Sequence, residues 1–135
     1  MLRLAVAVVS MVTAGASAQT FQSIFSFPLD GSKGLTPKAT LTVGPDGSLY
    51  GTASEGGVGG AGTAFKVSTA GVFTPLGDFV PADTGKAPVA RLVNIGDGFL
   101  YGVTSEGTGT AGDPLGTVFK LDPAGGLTKV FALPG

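Results

Sequence analysis

Three groups of residues have the types and spacing that chemistry needs. Asp83-Thr84-Gly85 is the motif that, in pairs, lets two carboxylates share a proton and activate water for peptide hydrolysis. It occurs once here, so a site of that kind would need two copies of the chain. Pro81 and Ala82 precede it where an apolar strand is required, and Lys86 follows where a small residue is expected. Asp83 also stands in the same inter-repeat turn as Asp30-Gly31, and turn chemistry accounts for it. The second group is the carboxylates Asp46, Glu55, Asp97, Glu106 and Asp113, hard oxygen donors of the kind calcium takes. No D-x-D-x-D-G loop holds them, each Asp-Gly pair reads as a hairpin turn, and each Glu opens a loop. The third group is Tyr50 and Tyr101, one position in two repeats, each beside a Gly that exposes backbone. With Glu55 and Glu106 they are the candidate ligand contacts, because aromatic rings at blade edges can stack on sugars. The plainer expectation is that each Tyr packs between blades with its hydroxyl bonded locally. Lys66 and Lys120 are expected to pair or to snorkel at blade surfaces.

Composition removes most other chemistry. There is no Cys and no His among the 135 residues. Thiol nucleophiles, Cys/His metal sites, a Ser-His-Asp triad and disulfides are therefore excluded. Gly85-Lys86 is not a phosphate loop, since Val80 stands where its first Gly belongs. No G-x-S-x-G elbow occurs. The formal net charge of −1 gives no electrostatic reason to expect nucleic acid or anionic lipid. The chain is read as a non-enzyme with no catalytic residue, no metal and no cofactor. Its partner stays open, with self-association through open blade faces and surface glycans as the two candidates.

The positioning elements begin after an export segment. Arg3 and the amino terminus make a positive region, residues 4–12 are apolar, and Ala16-Ser17-Ala18 is a small-x-small cleavage site. The apolar run is shorter than the roughly 20 residues a membrane span needs. Residues 1–18 are read as a signal peptide, with the mature chain starting near Gln19 and lying in the secreted, periplasmic or cell-surface space. No membrane span is expected in the mature chain.

Internal repetition decides the architecture. PKATLTVGPDGSLYGTASEGG from Pro37 aligns with PVARLVNIGDGFLYGVTSEGT from Pro88 at a constant offset of 51. After a Gly-rich loop that is longer in the second copy, the offset becomes 54. Gly62-Thr63-Ala64-Phe65-Lys66-Val67 then matches Gly116-Thr117-Val118-Phe119-Lys120-Leu121. Phe21, Ile24 and Phe27 match Phe73, Leu76 and Phe79, so a partial copy precedes the two whole ones. The organisation expected is 19–36 as the last strand of a partial repeat and a turn, 37–86 as repeat 1 and 87–135 as repeat 2. Nine strands are expected. Those of repeat 1 fall near 39–43, 48–53, 63–68 and 72–79, with Asp46-Gly47 forming a two-residue type I′ hairpin. Thr63, Phe65 and Val67 should face one way, Ala64 and Lys66 the other. Phe65 and Phe119 should be equivalent buried residues. The fold class is all-β: tandem four-stranded antiparallel meanders, two propeller-type blades plus one preceding strand.

The Leu49-Tyr50-Gly51-Thr52 and Gly62-Thr63-Ala64-Phe65-Lys66-Val67 motifs, repeated as Leu100-Tyr101-Gly102 and Gly116-Thr117-Val118-Phe119-Lys120-Leu121, resemble the GloVer tandem repeat. That repeat occurs in exported bacterial choice-of-anchor proteins. The resemblance implies a propeller-like surface or extracellular protein with no established biochemical activity. Members usually carry many repeats and a C-terminal anchoring segment, whereas this sequence ends at Leu133-Pro134-Gly135. Closed propellers have about four to eight blades, or roughly 200 to 400 residues at this repeat length. A piece of a longer repeat protein is therefore expected, with several copies completing a ring as the alternative. The function expected is a scaffold or interaction surface, with an oligomeric two-blade lectin as the other reading. Open faces near Phe27, Phe79 and Phe131 are expected to make the isolated chain oligomeric or aggregation-prone.

Overall fold

The computed structural model describes residues 20–108 and 115–134. The export segment and Asp113 lie outside the described residues. Among these residues nine strands follow in chain order: β1 (Thr42–Val43), β2 (Leu49–Ala53), β3 (Thr63–Val67), β4 (Phe73–Asp78), β5 (Lys86–Pro88), β6 (Val93–Asn94), β7 (Leu100–Glu106), β8 (Thr117–Leu121) and β9 (Leu127–Ala132). Among the described residues there is no helix. Two antiparallel sheets form, β1-β2-β3-β4 and β5-β7-β8-β9 with β6 also on β7. The fold is all-β, a pair of blade-like meanders whose matching ladders include Tyr50↔Lys66 and Tyr101↔Lys120.

The count of nine is reached differently from the sequence expectation. The segment expected as a preceding strand carries no ladder pairing, and the ninth strand comes from the second unit, whose first strand is split into β5 and β6. The split is built into the repeat. Ala87, inside β5, has φ 55°, and its counterpart Thr36 has φ 53°. Left-handed backbone at a residue with a Cβ breaks a regular ladder. In the first unit this leaves an isolated bridge, Leu35↔Glu55, where the second has Lys86↔Glu106.

The hairpin expectation also needs correction. Only the glycines of the Asp-Gly pairs are left-handed, Gly47 at φ 77° and Gly98 at φ 91°. A type I′ turn needs both central residues there. Each Asp instead accepts the amide two residues on, Asp46 from Ser48 at 3.0 Å and Asp97 from Phe99 at 3.1 Å. The carboxylate thus closes the turn, and the glycine completes a longer loop.

Alternation along β3 sends its residues into two cores. Phe65 and Val67 join Ala53, Phe25, Phe27 and Phe73 on one side. Ala64 joins Tyr50, Leu76 and Phe79 on the other, where Leu92, Leu100, Phe119 and Leu121 of the second unit close over them. Phe65 and Phe119 are both buried, as their shared place in the repeat requires. Phe79, expected near an open face, lies in the interior because the second unit covers it.

The preceding segment keeps its place by packing. Phe27 meets Phe65 edge-on at 5.1 Å, and Phe79 meets Phe119 edge-on at 4.9 Å. The Ile24 carbonyl approaches Gly71 as the Leu76 carbonyl approaches Gly125. Residues 20–29 therefore stand against the first unit as β4 stands against the second.

Candidate functional site

The LYG and GTxFK motifs meet across the ladder. Gly51 is the register partner of Phe65 and Gly102 of Phe119. A Cβ on Gly102 would lie 2.5 Å from the Phe119 ring, and one on Gly51 2.7 Å from Leu41. The glycine thus makes room for side chains over its Cα, rather than exposing backbone to a ligand.

Its neighbour Tyr points to the opposite face, where its register partner is a Lys and the turn Asp lies nearby in both units, with different pairing. In the first unit Lys66 Nζ bonds Asp46 Oδ2 at 2.9 Å, lies 5.7 Å from the Tyr50 ring centre, and donates to the Pro123 carbonyl of the second unit at 3.3 Å. Lys66, with help from the Ser48 amide, lowers the Asp46 carboxyl to about 2. Tyr50 is fully buried, and desolvation followed by the nearby Asp46 charge raises its phenol above the ordinary value. Its hydroxyl has no protein partner in bonding geometry. In the second unit the Tyr101 hydroxyl donates to Asp97 Oδ2 at 2.7 Å, which lowers the carboxyl and raises the phenol. Lys120 instead lies 4.4 Å over the Phe99 ring. Burial separates the two cases: a neighbouring unit covers Tyr50, while Tyr101 is half-buried beside a shallow groove of about 210 Å³ with Arg91, Val93 and Val118. Each Tyr meets half of the plain expectation, Tyr50 the packing and Tyr101 the local hydrogen bond.

Glu55 lies just past β2 and Glu106 at the last position of β7, at the other end of the strands and about 17 Å from the Tyr positions at the usual rise per residue. The four candidate contacts therefore do not form one site. The two Glu do share a cleft of about 340 Å³ between the units, lined also by Lys38, Lys86, Ser54 and Ser105. Lys86 Nζ pairs with Glu106 Oε2 at 2.7 Å. Ser54 Oγ donates to the Thr36 carbonyl at 3.2 Å and Ser105 Oγ to the Ala87 carbonyl at 3.0 Å. The serines of the S-E-G motif thus hold the left-handed residues, and Glu55 bonds Leu35 through both of its backbone groups. Sequence reasoning missed Lys38, Lys86 and the role of the serines. The repetition of Ser54 at Ser105 was the available clue.

Asp83 is an exposed turn residue whose amide bonds the Val80 carbonyl at 2.9 Å. Its neighbour Thr84 does the tying, accepting from the Val80 amide at 2.9 Å and, through its own carbonyl, from Thr117 Oγ1 at 2.6 Å. Among the described residues no three His, Cys, Asp or Glu side chains gather where they could hold a metal ion. Among the same residues no helix is long and apolar enough to cross a membrane.

Two antiparallel meanders in register, joined by a buried inter-unit seam and carrying one Asp-Tyr-Lys cluster each, define a β-rich tandem-repeat protein. The chain matches the Gloeobacter/Verrucomicrobia repeat over residues 8–135 and belongs to that family. No curated protein matches it.

Proposed function

We propose that the mature chain is an exported, non-enzymatic β-repeat module that serves as a scaffold or interaction surface in the secreted, periplasmic or cell-surface space. The observation that carries this reading is the unequal burial of one repeated residue. Tyr50 is sealed in the seam between units, while Tyr101 and its neighbours present the same face with none of the described residues stacked over it as the second unit is over Tyr50. Such a face suits contact with another body more than it suits reaction chemistry, because its carboxylate, Asp97, is engaged by the Tyr101 hydroxyl and the rest of the groove is mostly apolar. The export part rests on the order of positive, apolar and small-x-small regions in residues 1–18. N-terminal sequencing of exported material should begin at or near Gln19, and material retaining Met1 would refute that part.

A carbohydrate-binding reading draws on a single feature, the half-buried Tyr101 ring beside the Asp97 carboxylate. A glycan array separates the two. Binding that disappears in Tyr101→Ala would favour the lectin, and a blank array favours the module.

A further inference from the structure

The seam between the two units is a template for a contact that the second unit can make again. In the seam, Tyr50, Ala64 and Leu76 of the first unit face Leu92, Leu100, Phe119 and Leu121 of the second. The repeat equivalents of the first set are Tyr101, Val118 and Val130. They form the outer face of the second unit, where Val130 is 55% exposed against 6% for Leu76. The equivalents of the second set are Leu41, Leu49, Phe65 and Val67. Three of these four, with Ile24, Phe25 and Phe27, line an apolar pocket of about 250 Å³ on the first unit, on the face equivalent to the one that joins Tyr50 in the seam cluster. One chain therefore carries an unfilled knob at one end and an unfilled hole at the other.

We infer that copies of this chain join head to tail, Tyr101 of one copy entering the pocket between Leu41, Phe65 and Val67 of the next. The inference rests on the interaction-module reading and names its partner. The polar part of the seam repeats as well: Lys66 reaches the Pro123 carbonyl across it, and Lys120 stands at the equivalent place facing outward. A heterologous contact of this kind propagates or closes into a ring, in contrast to a symmetric pair.

One element opposes the contact. Ile24, Phe25 and Phe27 sit on the first unit where Leu76, Gly77 and Phe79 sit on the second. Their equivalents in an incoming copy are Val130, Phe131 and Leu133, so β9 of that copy needs the ground residues 20–29 hold. That segment has no ladder pairing, so an incoming copy displaces chiefly the packing of Phe25 on Phe73 and of Phe27 on Phe65. Residues 20–29 thus act as an internal plug that sets how readily copies join.

Sedimentation velocity on the mature chain, with circular dichroism to confirm folding, tests this. The mature chain should associate with rising concentration, and Phe25→Ser with Phe27→Ser should shift the onset at least tenfold lower. Tyr101→Arg and Leu41→Arg, each at a partly exposed position, should each be monomeric alone. Mixed together they should give a one-to-one heterodimer, since each keeps one intact face. Three results would overturn the inference: Tyr101→Arg associating like the parent, no heterodimer on mixing, or a monomer throughout that includes the plug variant. A symmetric Tyr101-to-Tyr101 contact would show itself by leaving Leu41→Arg associated. The module reading would survive any of these, because export and the glycan array are measured separately.

Discussion

The hydroxyls of Thr104 and Thr117 lie 2.8 Å apart in the buried layer between β7 and β8. Thr117 Oγ1 also donates to the Thr84 carbonyl at 2.6 Å, and Thr104 Oγ1 receives the Thr117 amide at 2.9 Å. The first unit has Ala53 in place of Thr104, and there Thr63, the counterpart of Thr117, is left with a buried hydroxyl that bonds no protein group. Two threonines at one repeat position should therefore answer the same substitution oppositely. Thr117→Val should cost about 1–3 kcal/mol, because it strands the Thr84 carbonyl and breaks the network. Thr63→Val should be neutral or stabilising, since it removes a desolvated group with nothing to lose. Denaturant unfolding of the two variants measures the difference.

Left-handed backbone at Thr36 and Ala87 costs roughly 1–2 kcal/mol each, which glycine would not incur. Ala87→Gly should raise stability by up to about 1 kcal/mol after glycine's greater unfolded-state freedom is counted, and Thr36→Gly should gain less, because it also removes the 2.7 Å hydrogen bond between the Thr36 and Ser54 hydroxyls. Thermal melts should show the Ala87→Gly midpoint rising and the Thr36→Gly midpoint rising less. Ser105→Ala should lower its midpoint, since Ser105 holds the Ala87 carbonyl at 3.0 Å.

Gly102 should not tolerate even one extra carbon. A Cβ there would stand 2.5 Å from the Phe119 ring and 2.9 Å from Leu92, so the ring must move within a packed core. Gly102→Ala should cost about 1–3 kcal/mol. Phe119→Leu in the same chain should recover part of that loss, and a double-mutant cycle in denaturant reads the coupling.

Asp46 should titrate far below an ordinary carboxylate, near 2, with Lys66→Met moving it back toward about 3.9. Its folded value is depressed, so its contribution is complete above the unfolded value and disappears as pH falls from about 4 to about 2. The pair is partly exposed, with 24% and 39% of its side chains accessible, which limits it to under about 1 kcal/mol. Carboxyl chemical shifts followed through an acid titration measure the midpoint in both proteins.

The Phe at the centre of each third strand gives the simplest check on the repeat. Phe65→Ala and Phe119→Ala should each cost on the order of 3–5 kcal/mol, as both rings are buried. Phe27→Ala should cost less, because its ring is only partly covered. Equilibrium unfolding would reveal any departure from that order.

Periodicity alone determined a good deal of this protein. The alternation of Thr63, Phe65 and Val67 with Ala64 and Lys66 fixed which side chains share a face, because strand geometry has period two. The recurrence of LYG and GTxFK fixed the two units, because matched residues at matched spacing must do the same packing work. What the sequence could not decide was which copy of a repeated residue is covered. Tyr50 and Tyr101 stand in the same Leu-Tyr-Gly motif, yet one is sealed and the other half-open, since burial depends on a neighbouring unit placed by packing. The same holds for Thr63 and Thr117, whose hydroxyls differ because a methyl group replaces a partner on the next strand. The split first strand escaped notice because the groups that bond the left-handed Thr36 and Ala87, among them Ser54 and Ser105, are distant in sequence. Local pattern set the elements and their faces. The tertiary structure set exposure and hydrogen bonding, because both are properties of what lies opposite a residue and not of the residue itself.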